Sequence, residues 1–514
     1  MNQKISLSMF DKVILYLTVS LTGAAVMIIE LLGTRIIGPF YGVSLYVWSS
    51  LISVTLFALA VGYFLGGIIA DKNTRFRLSH VISLAALFVA VIPLISDVVL
   101  SGTDSLGIRA GAFSSSVILF TIPLTLLAMV GPMVIALAAD RLNIIGSVSG
   151  SVYAVSTIGS VLGTLFLGFY LLPEFGSKTI IDALSVSLII LSISWAIFEA
   201  RSGKIFAWGN LPVGVVTVIF LTLSHSFHNS DEDPGFTQVF AEESIYGWVR
   251  VIDEPEKNIR WLMSDASTIG AASLSTGQGL LQYQKSIEML PDFHPDGKNV
   301  LLIGLGSGHL ATHFDKLGLI TDTIEIDASV ATAAKKFFNF NPKGDLILGD
   351  ARYHVRQLKK KYDFIIHDCF TGGTDPSHLL TSQMFQTLQN RLKPGGILVV
   401  NLVGFMHGDE SNGTKAIART LSKTFKYSKT FIADLNKNFN DITFFVSNSP
   451  IQIKSKRKNN HIENWLKSHE FNFPETNGFI LTDNYNPLDS LQVKKAELYR
   501  KQMVDRVGKK ILLW

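Results

Sequence analysis

The sequence predicts an α-helical polytopic membrane domain followed by an α/β Rossmann-like domain with a small β region at its N-terminal side. Three observations carry this. Apolar stretches of membrane-spanning length fill the first 225 positions, a strand-glycine-helix pattern begins at Asn299, and strands then alternate with helices. The division expected from these patterns is 1–225, a linker and β region over 226–298, and the nucleotide-type fold over 299–514.

Composition agrees with a chain of two characters. Of 514 residues, 48% are hydrophobic and only 17% charged, with a mean hydropathy of +0.34. Charged content this far below the usual quarter points to membrane spans beside a soluble part. The net charge is +4, and no basic patch is interleaved with aromatics, so nucleic acid is not expected as a partner. The single cysteine, Cys369, excludes an intramolecular disulfide framework. No zinc-type spacing joins the His and Cys residues, and no metal is expected.

A helix needs about 20 apolar residues to cross a bilayer. Seven stretches qualify: Val13 to Leu32, Val47 to Ala70, Leu78 to Leu100, Ser116 to Ala138, Val148 to Leu172, Thr179 to Phe198 and Ile205 to Leu223. The first lacks a cleavage site and reads as an uncleaved helix rather than a signal peptide. Lys4, Lys12, Lys72, Arg75, Arg77, Arg141, Arg201 and Lys204 fall on one side of this count, and Arg35, Arg109 and Lys178 on the other. The positive-inside rule then puts the N-terminus in the cytoplasm, and seven spans would leave the C-terminal half outside. The supply of nucleoside cofactors argues for the cytoplasm instead, and the expectation taken is a multi-pass membrane protein with a cytoplasmic soluble domain.

Within the spans, Glu30 and Arg35 read as an interfacial ion pair or snorkelling side chains. Gly62, Gly66 and Gly67, then Gly159, Gly163 and Gly168, offer small faces for close helix packing. Pro123 and Pro132 are expected to kink the fourth span.

After the polar linker His225 to Pro234, alternating apolar residues from Thr237 to Met263 suggest strands. The run Asn299 to Ile303 is a strand that ends in Gly304-Leu305-Gly306-Ser307-Gly308, with a helix-permissive segment from His309 to Lys316. Glycines at a strand-to-helix turn let a backbone approach a ligand, and an acid about 20 residues on, at the next strand's tip, can bond ribose hydroxyls. Glu325 stands at that distance from Gly304. Later strands are expected at Leu346 to Leu348, Phe364 to Ile366, Ile397 to Asn401 and Ile442 to Val446. Helices are expected at Ala351 to Lys360, Ser382 to Arg391 and Lys415 to Phe425. The sheet should be mostly parallel, with ligands outside the carboxyl ends of its strands, where Glu325, Gly349-Asp350 and Asp368 fall. A small-molecule nucleoside is therefore the expected partner. Lys454-Ser455-Lys456-Arg457-Lys458 reads as solvated surface that an anionic lipid face could use. The patterned tail Leu481 to Asp489 is expected to fold back near the site.

These residues resemble the spermidine synthase (polyamine aminopropyltransferase) family, and more closely its membrane-fused bacterial relatives. The resemblance rests on Glu243-Ser244-Ile245-Tyr246-Gly247, Thr276-Gly277-Gln278 with Tyr283 and Met289-Leu290-Pro291, the glycine loop, Glu325-Ile326-Asp327, Gly349-Asp350, the strand Tyr362 to Asp368, and Pro376-Ser377-His378-Leu379-Leu380-Thr381. It implies a class I methyltransferase-like fold and a substrate that is S-adenosylmethionine or its decarboxylated form, with methylthioadenosine as leaving group. It implies a nucleoside site of Tyr246, Gln278, Tyr283, Gly304, Gly306, Ser307, Gly308, Glu325, Asp327, Asp350 and Ala351, with Asp368 as the catalytic carboxylate. An amine acceptor, a homodimer and a place in the bacterial inner membrane are implied as well.

The sequence departs from the family pattern where acids hold ammonium groups. Ser307 stands where the glycine loop usually has aspartate, Gly279 and Leu280 replace acids before Tyr283, and Cys369-Phe370-Thr371-Gly372 lacks the motif's second acid. An unpaired cation in a pocket is costly, so ordinary putrescine chemistry is in doubt. If the donor were S-adenosylmethionine, its own carboxylate could attack the γ carbon and release homoserine lactone. Methyl transfer and a non-catalytic nucleoside-binding transporter or sensor are the alternatives.

Overall fold

The computed structural model describes residues 9–42, 45–72, 76–139, 145–201, 209–228, 235–370, 373–453, 460–473, 478–508 and 511. The basic run 454–458, the pair 371–372 and the first residues of the last expected span lie outside these. The chain separates into two compact units, Met1–Glu232 with Lys509–Trp514, and Asp233–Gly508.

The first unit is helical. Its elements are α1 (Met9–Tyr41), α2 (Leu45–Asp71), α3 (Leu78–Thr103), α4 (Gly107–Ala138), α5 (Ile145–Phe166), which continues through a π turn into the single turn α6 (Leu172–Glu174), then α7 (Ser177–Arg201) and α8 (Asn210–His228). Among the described residues five segments are long and apolar enough to cross a membrane, and one of them, Leu78–Ala138, is 61 residues long. That segment is α3 and α4 joined by a one-turn 3-10 helix at Asp104–Leu106, with the two helices packed on each other, so it holds two of the expected spans. Asn210–Leu223 is apolar but shorter. Lengths and composition are thus compatible with membrane insertion. Helix α4 continues through both Pro123 and Pro132.

Glycine packing divides the expected small faces. A Cβ on Gly62 would lie 2.4 Å from the Thr125 carbonyl oxygen, and one on Gly66 2.7 Å from that of Met129. On α5, a Cβ at Gly159 would lie 2.2 Å from the Ser20 carbonyl oxygen and one at Gly163 2.7 Å from Ala24 Cβ. Gly67 and Gly168, by contrast, face open space, so they take no part in these contacts. Gly159→Ala is expected to destabilise the helical unit by about 1–3 kcal/mol through overpacking. Gly168→Ala should be neutral, and thermal unfolding in detergent compares the two. Glu30 accepts a hydrogen bond from the Thr55 side chain, so its carboxyl has a partner within the unit.

The second unit begins with a four-stranded antiparallel meander, β1 (Thr237–Glu243), β2 (Trp248–Glu254), β3 (Ile259–Ser264) and β4 (Ser267–Ser273). Two short helices follow, α9 (Gln284–Glu288) and α10 (Leu290–Phe293). The main domain then runs β5 (Asn299–Ile303), α11 (His309–Lys316), β6 (Ile320–Glu325), α12 (Ala328–Phe337), β7 (Leu346–Leu348), α13 (Ala351–Gln357), β8 (Tyr362–His367), α14 (Ser382–Arg391), β9 (Leu392–Phe405), α15 (Asn412–Thr424), β10 (Tyr427–Ile432) and β11 (Phe439–Ser447). Helices α16 (Asn460–His469), α17 (Leu488–Leu491) and α18 (Val493–Val507) complete the unit.

The seven strands order as β10-β11-β9-β8-β5-β6-β7. Five are parallel, as expected, while β11 pairs antiparallel with both β9 and β10. Strand β10, not foreseen, forms the edge. Alternation splits the core into two layers. Leu301, Ile303, Ile365, Leu398 and Val400 face one layer, and Val300, Leu302, Phe364, Ile366 and Val399 face the other. A chain reversal between β5 and β6 on one side and β8 and β9 on the other leaves the carboxyl ends of these strands as the natural ligand crevice.

Candidate active site

Gly304 leaves β5 with φ +88°, a left-handed conformation that side chains rarely adopt. A Cβ there would also lie 2.1 Å from the Asp368 carbonyl oxygen. The glycine is therefore required by the close approach of the next strand's end, and it locks the glycine loop to Asp368. The Asp368 N–H completes this junction by donating to the Ile303 carbonyl at 2.8 Å. Gly306 and Gly308 share positive φ values, and Cβ atoms there would crowd the Ile269 carbonyl oxygen and the Phe340 ring. Ser307 is buried, and a Cβ added to Gly270 of β4 would sit 2.7 Å from its Cβ. The close approach of β4 to the loop therefore requires glycine at 270, where any side chain would push Ser307 away.

Glu325, at the end of β6, is buried beside this loop. Its Oε2 accepts from Leu305 N–H at 2.8 Å and its Oε1 from Asp327 N–H at 3.0 Å. Burial raises its pKa, and those backbone donors oppose the rise. A carboxylate offers about four lone-pair sites, so beyond its backbone donors Glu325 retains acceptor capacity for a hydroxyl such as those of a ribose. Asp327 does different work. It caps α12 by accepting from Ser329 N–H at 2.9 Å, and its other oxygen accepts from Ser244 Oγ at 2.6 Å. Asp350 caps α13 through Tyr353 N–H at 2.8 Å, with Ala351 buried behind it. Tyr246 and Gln278 stand largely exposed on turns of the meander and its exit, apart from the buried cluster.

Asp368 follows β8. Tyr283 OH donates to its Oδ2 at 2.8 Å and Asn401 Nδ2 to its Oδ1 at 2.8 Å. Burial raises the carboxyl's pKa, and the two donors pull it back. Burial, then the charge of Asp368, raises the Tyr283 phenol well above its ordinary value, which keeps it a donor. The segment before Tyr283 is fixed to α11, since Gly279 N–H donates to His309 Nδ1 at 3.1 Å and His309 Nε2 lies 2.7 Å from Glu288.

Two site residues were not legible in any motif. Asn401 extends β9 to the level of Asp368. Asp441 comes from β11, and burial followed by the nearby Asp368 charge raises its carboxyl to about 6, against the pull of Lys495 and Lys437. The C-terminal helix α18 adds Lys495, paired with the buried Asp375, and Tyr499, whose ring packs on Phe370 at 4.8 Å. Only strand alternation could have pointed to Asp441.

The tail folds back as expected. Arg352 of α13 donates to both the His378 carbonyl at 2.7 Å and the Asp483 carboxylate, and Leu481 N–H donates to Thr420 Oγ1 at 2.9 Å. Asp483→Ala is expected to lower stability by about 1 kcal/mol, as for a partly exposed Arg–carboxylate pair. The pair holds the Asp483 pKa below its ordinary value against the effect of burial. Its contribution is therefore present above the unfolded pKa and lost as pH falls through the folded one, which thermal melts from pH 7 down to 3 would follow.

The second unit is thus a class I methyltransferase-like α/β domain with an acid-bearing site at the carboxyl ends of its parallel strands. A family model described as the spermine/spermidine synthase domain matches residues 280–457, so this part of the chain is similar to the spermidine synthase family. A polyamine aminopropyltransferase of Vibrio vulnificus is 35% identical over 116 residues, which cover 21% of this chain and 39% of that enzyme. An N-terminal histidine N-methyltransferase of Emericella nidulans is 24% identical over 421 residues, covering 74% of this chain and 72% of that protein. That share exceeds what the unit Asp233–Gly508 contains, so the likeness extends into the helical unit. A probable spermidine synthase of Corynebacterium glutamicum aligns over 48% of this chain and 96% of its own, at 18% identity and a TM-score of 0.41.

Proposed function

We propose that this protein is a membrane-integral transferase that binds a sulfonium nucleoside, S-adenosylmethionine or its decarboxylated form, and breaks the Cγ–S bond to release methylthioadenosine. The observation that carries the reading is the Asp368 carboxylate, held by Tyr283 and Asn401 while its own carbonyl rests on Gly304. One residue joins the nucleoside loop to the reaction centre. Glu325 would take the ribose, the turn at Asp350 and Ala351 the adenine, and Asp368 the proton.

A half-buried carboxylate with raised proton affinity suits an amine nucleophile. The amine lone pair attacks the γ carbon, the C–S bond breaks with its electron pair going to sulfur, and the nitrogen's proton passes to Asp368. Cyclisation to homoserine lactone would use the donor's own carboxylate, which has no proton to give up and would be repelled by Asp368. Transfer to an amine is therefore favoured over the lyase reaction. The helical unit serves as a multi-pass anchor in the bacterial inner membrane, with the α/β unit on the cytoplasmic side.

The Emericella relative supports a second reading, methyl transfer, in which the same base serves an amine that attacks the methyl carbon on the same sulfur. A donor labelled in its S-methyl group separates the two. Label recovered in methylthioadenosine supports Cγ–S cleavage, and label in the acceptor, with S-adenosylhomocysteine formed, overturns it.

A further inference from the structure

Asp441, Thr443 and Phe445 alternate along β11 with Ile442 and Phe444, which face the opposite core layer. Phe445 packs with Ile366 and Val399, so this face of β11 is the face that also carries Asp368 and Asn401. The register fixes the heights. His367 pairs with Val400, Thr443 with Asn401, and Asp441 with Val403. Asn401 thus lies level with Asp368, and Asp441 lies two residues further out, above the strand ends on the same face. A side-chain chain confirms the neighbourhood. Thr443 Oγ1 is 2.9 Å from Ser286 Oγ, which donates to the Tyr283 carbonyl at 2.8 Å, and Tyr283 OH reaches Asp368.

The geometry points to Asp441 as a positioning residue of the reaction, a second carboxylate that keeps Asp368 basic enough to take the nucleophile's proton. This rests on the reading of Asp368 as the base. Two carboxylates on one face titrate as a pair: the charge of Asp368 raises the hold of Asp441 on its proton, and by reciprocity an ionised Asp441 favours a proton on Asp368. The groups that face Asp441 are Asp368 after β8, Tyr283 before α9, Tyr499 and Lys495 on α18, and Lys437 between β10 and β11. Above about pH 6 Asp441 is ionised and assists; below it the carboxyl is protonated and the assistance is lost. During turnover the nitrogen lone pair forms the new bond to carbon as the C–S bond breaks with its pair going to sulfur, and the nitrogen's proton moves to Asp368 and from there to solvent.

The test uses the full chain in detergent, with Asp441→Asn and Asp441→Glu. Asp441→Asn is expected to lower kcat about tenfold at pH 8. It should also flatten the acid limb near pH 6 and leave nucleoside affinity unchanged, and Asp441→Glu should restore most of the rate. A wild-type rate and pH profile in Asp441→Asn would overturn the proposal, as would a loss confined to nucleoside binding. Infrared titration of the carboxyl band reads the pair without turnover. A group titrating near pH 6 should vanish in Asp441→Asn and move to lower pH in Asp368→Asn, where the neighbouring charge is gone. If the wild type releases no methylthioadenosine, the functional reading fails while this titration still decides the pairing. A band that persists in Asp441→Asn, or ignores Asp368→Asn, overturns the pairing itself.

Discussion

Asp368→Asn is expected to lower kcat by about 10²–10⁴-fold, the range for loss of a general base, while nucleoside affinity changes little. The substitution keeps shape and leaves Tyr283 an oxygen to donate to, but it removes the group that accepts the proton. With that oxygen turned to Tyr283, the Asn401 amide faces the new NH2 and loses its acceptor. Calorimetric binding of the donor and steady-state turnover, measured on the same preparation, separate the two effects. If the reaction were cyclisation, no proton would be removed from the nucleophile, and the variant would keep its rate or gain from the loss of a repulsive charge. A loss of binding in step with the rate would instead assign Asp368 to holding the nucleoside.

Gly304→Ala should be the most damaging single-atom change in the α/β unit. The residue sits at φ +88°, where a side chain adds about 1–2 kcal/mol of backbone strain. The new Cβ would also fall 2.1 Å from the Asp368 carbonyl oxygen, which belongs to backbone and cannot swing away. Either β8's end or the loop must shift, and both carry the site. The expected result is a destabilisation of at least about 2 kcal/mol together with loss of donor binding. Thermal unfolding with and without donor checks both. A variant that keeps wild-type stability and binding would mean that the loop relaxes freely and that its contact with Asp368 has no role.

Much of this site was readable because its parts follow one another along the chain. The strand ending at Gly304, the acid at Glu325, the turn at Asp350 and the strand ending at Asp368 each announce themselves by local pattern, and parallel pairing brings their ends together. The glycine loop was read as a place where a ligand comes close; its first glycine is in fact required by Asp368's own backbone. Asp327 reads as a ligand acid, yet one of its oxygens caps α12 and the other holds Ser244.

The antiparallel end of the sheet was not readable in the same way. Strand β10 opens with exposed Tyr427 and Ser428, so it lacks the apolar run that marks a buried strand. Asp441 gains its place only through the register of β11 against β9, and Lys495 and Tyr499 arrive on a helix far along the chain. The absent motif acids after Asp368 therefore suggested a site poorer in carboxylate than it is. In the helical unit the spacing of glycines was visible, but which of them touch a neighbour was not. Gly163 meets Ala24, while Gly168 lies beyond the contact.

The most direct test of the account is product analysis by mass spectrometry on the full chain in detergent. It would be supplied with S-adenosylmethionine or its decarboxylated form, with and without a panel of amines. The account predicts methylthioadenosine that requires an added amine, with the amine enlarged by the transferred group. Methylthioadenosine with homoserine lactone and no amine would contradict transfer in favour of the lyase, and S-adenosylhomocysteine with a methylated acceptor would contradict Cγ–S cleavage altogether.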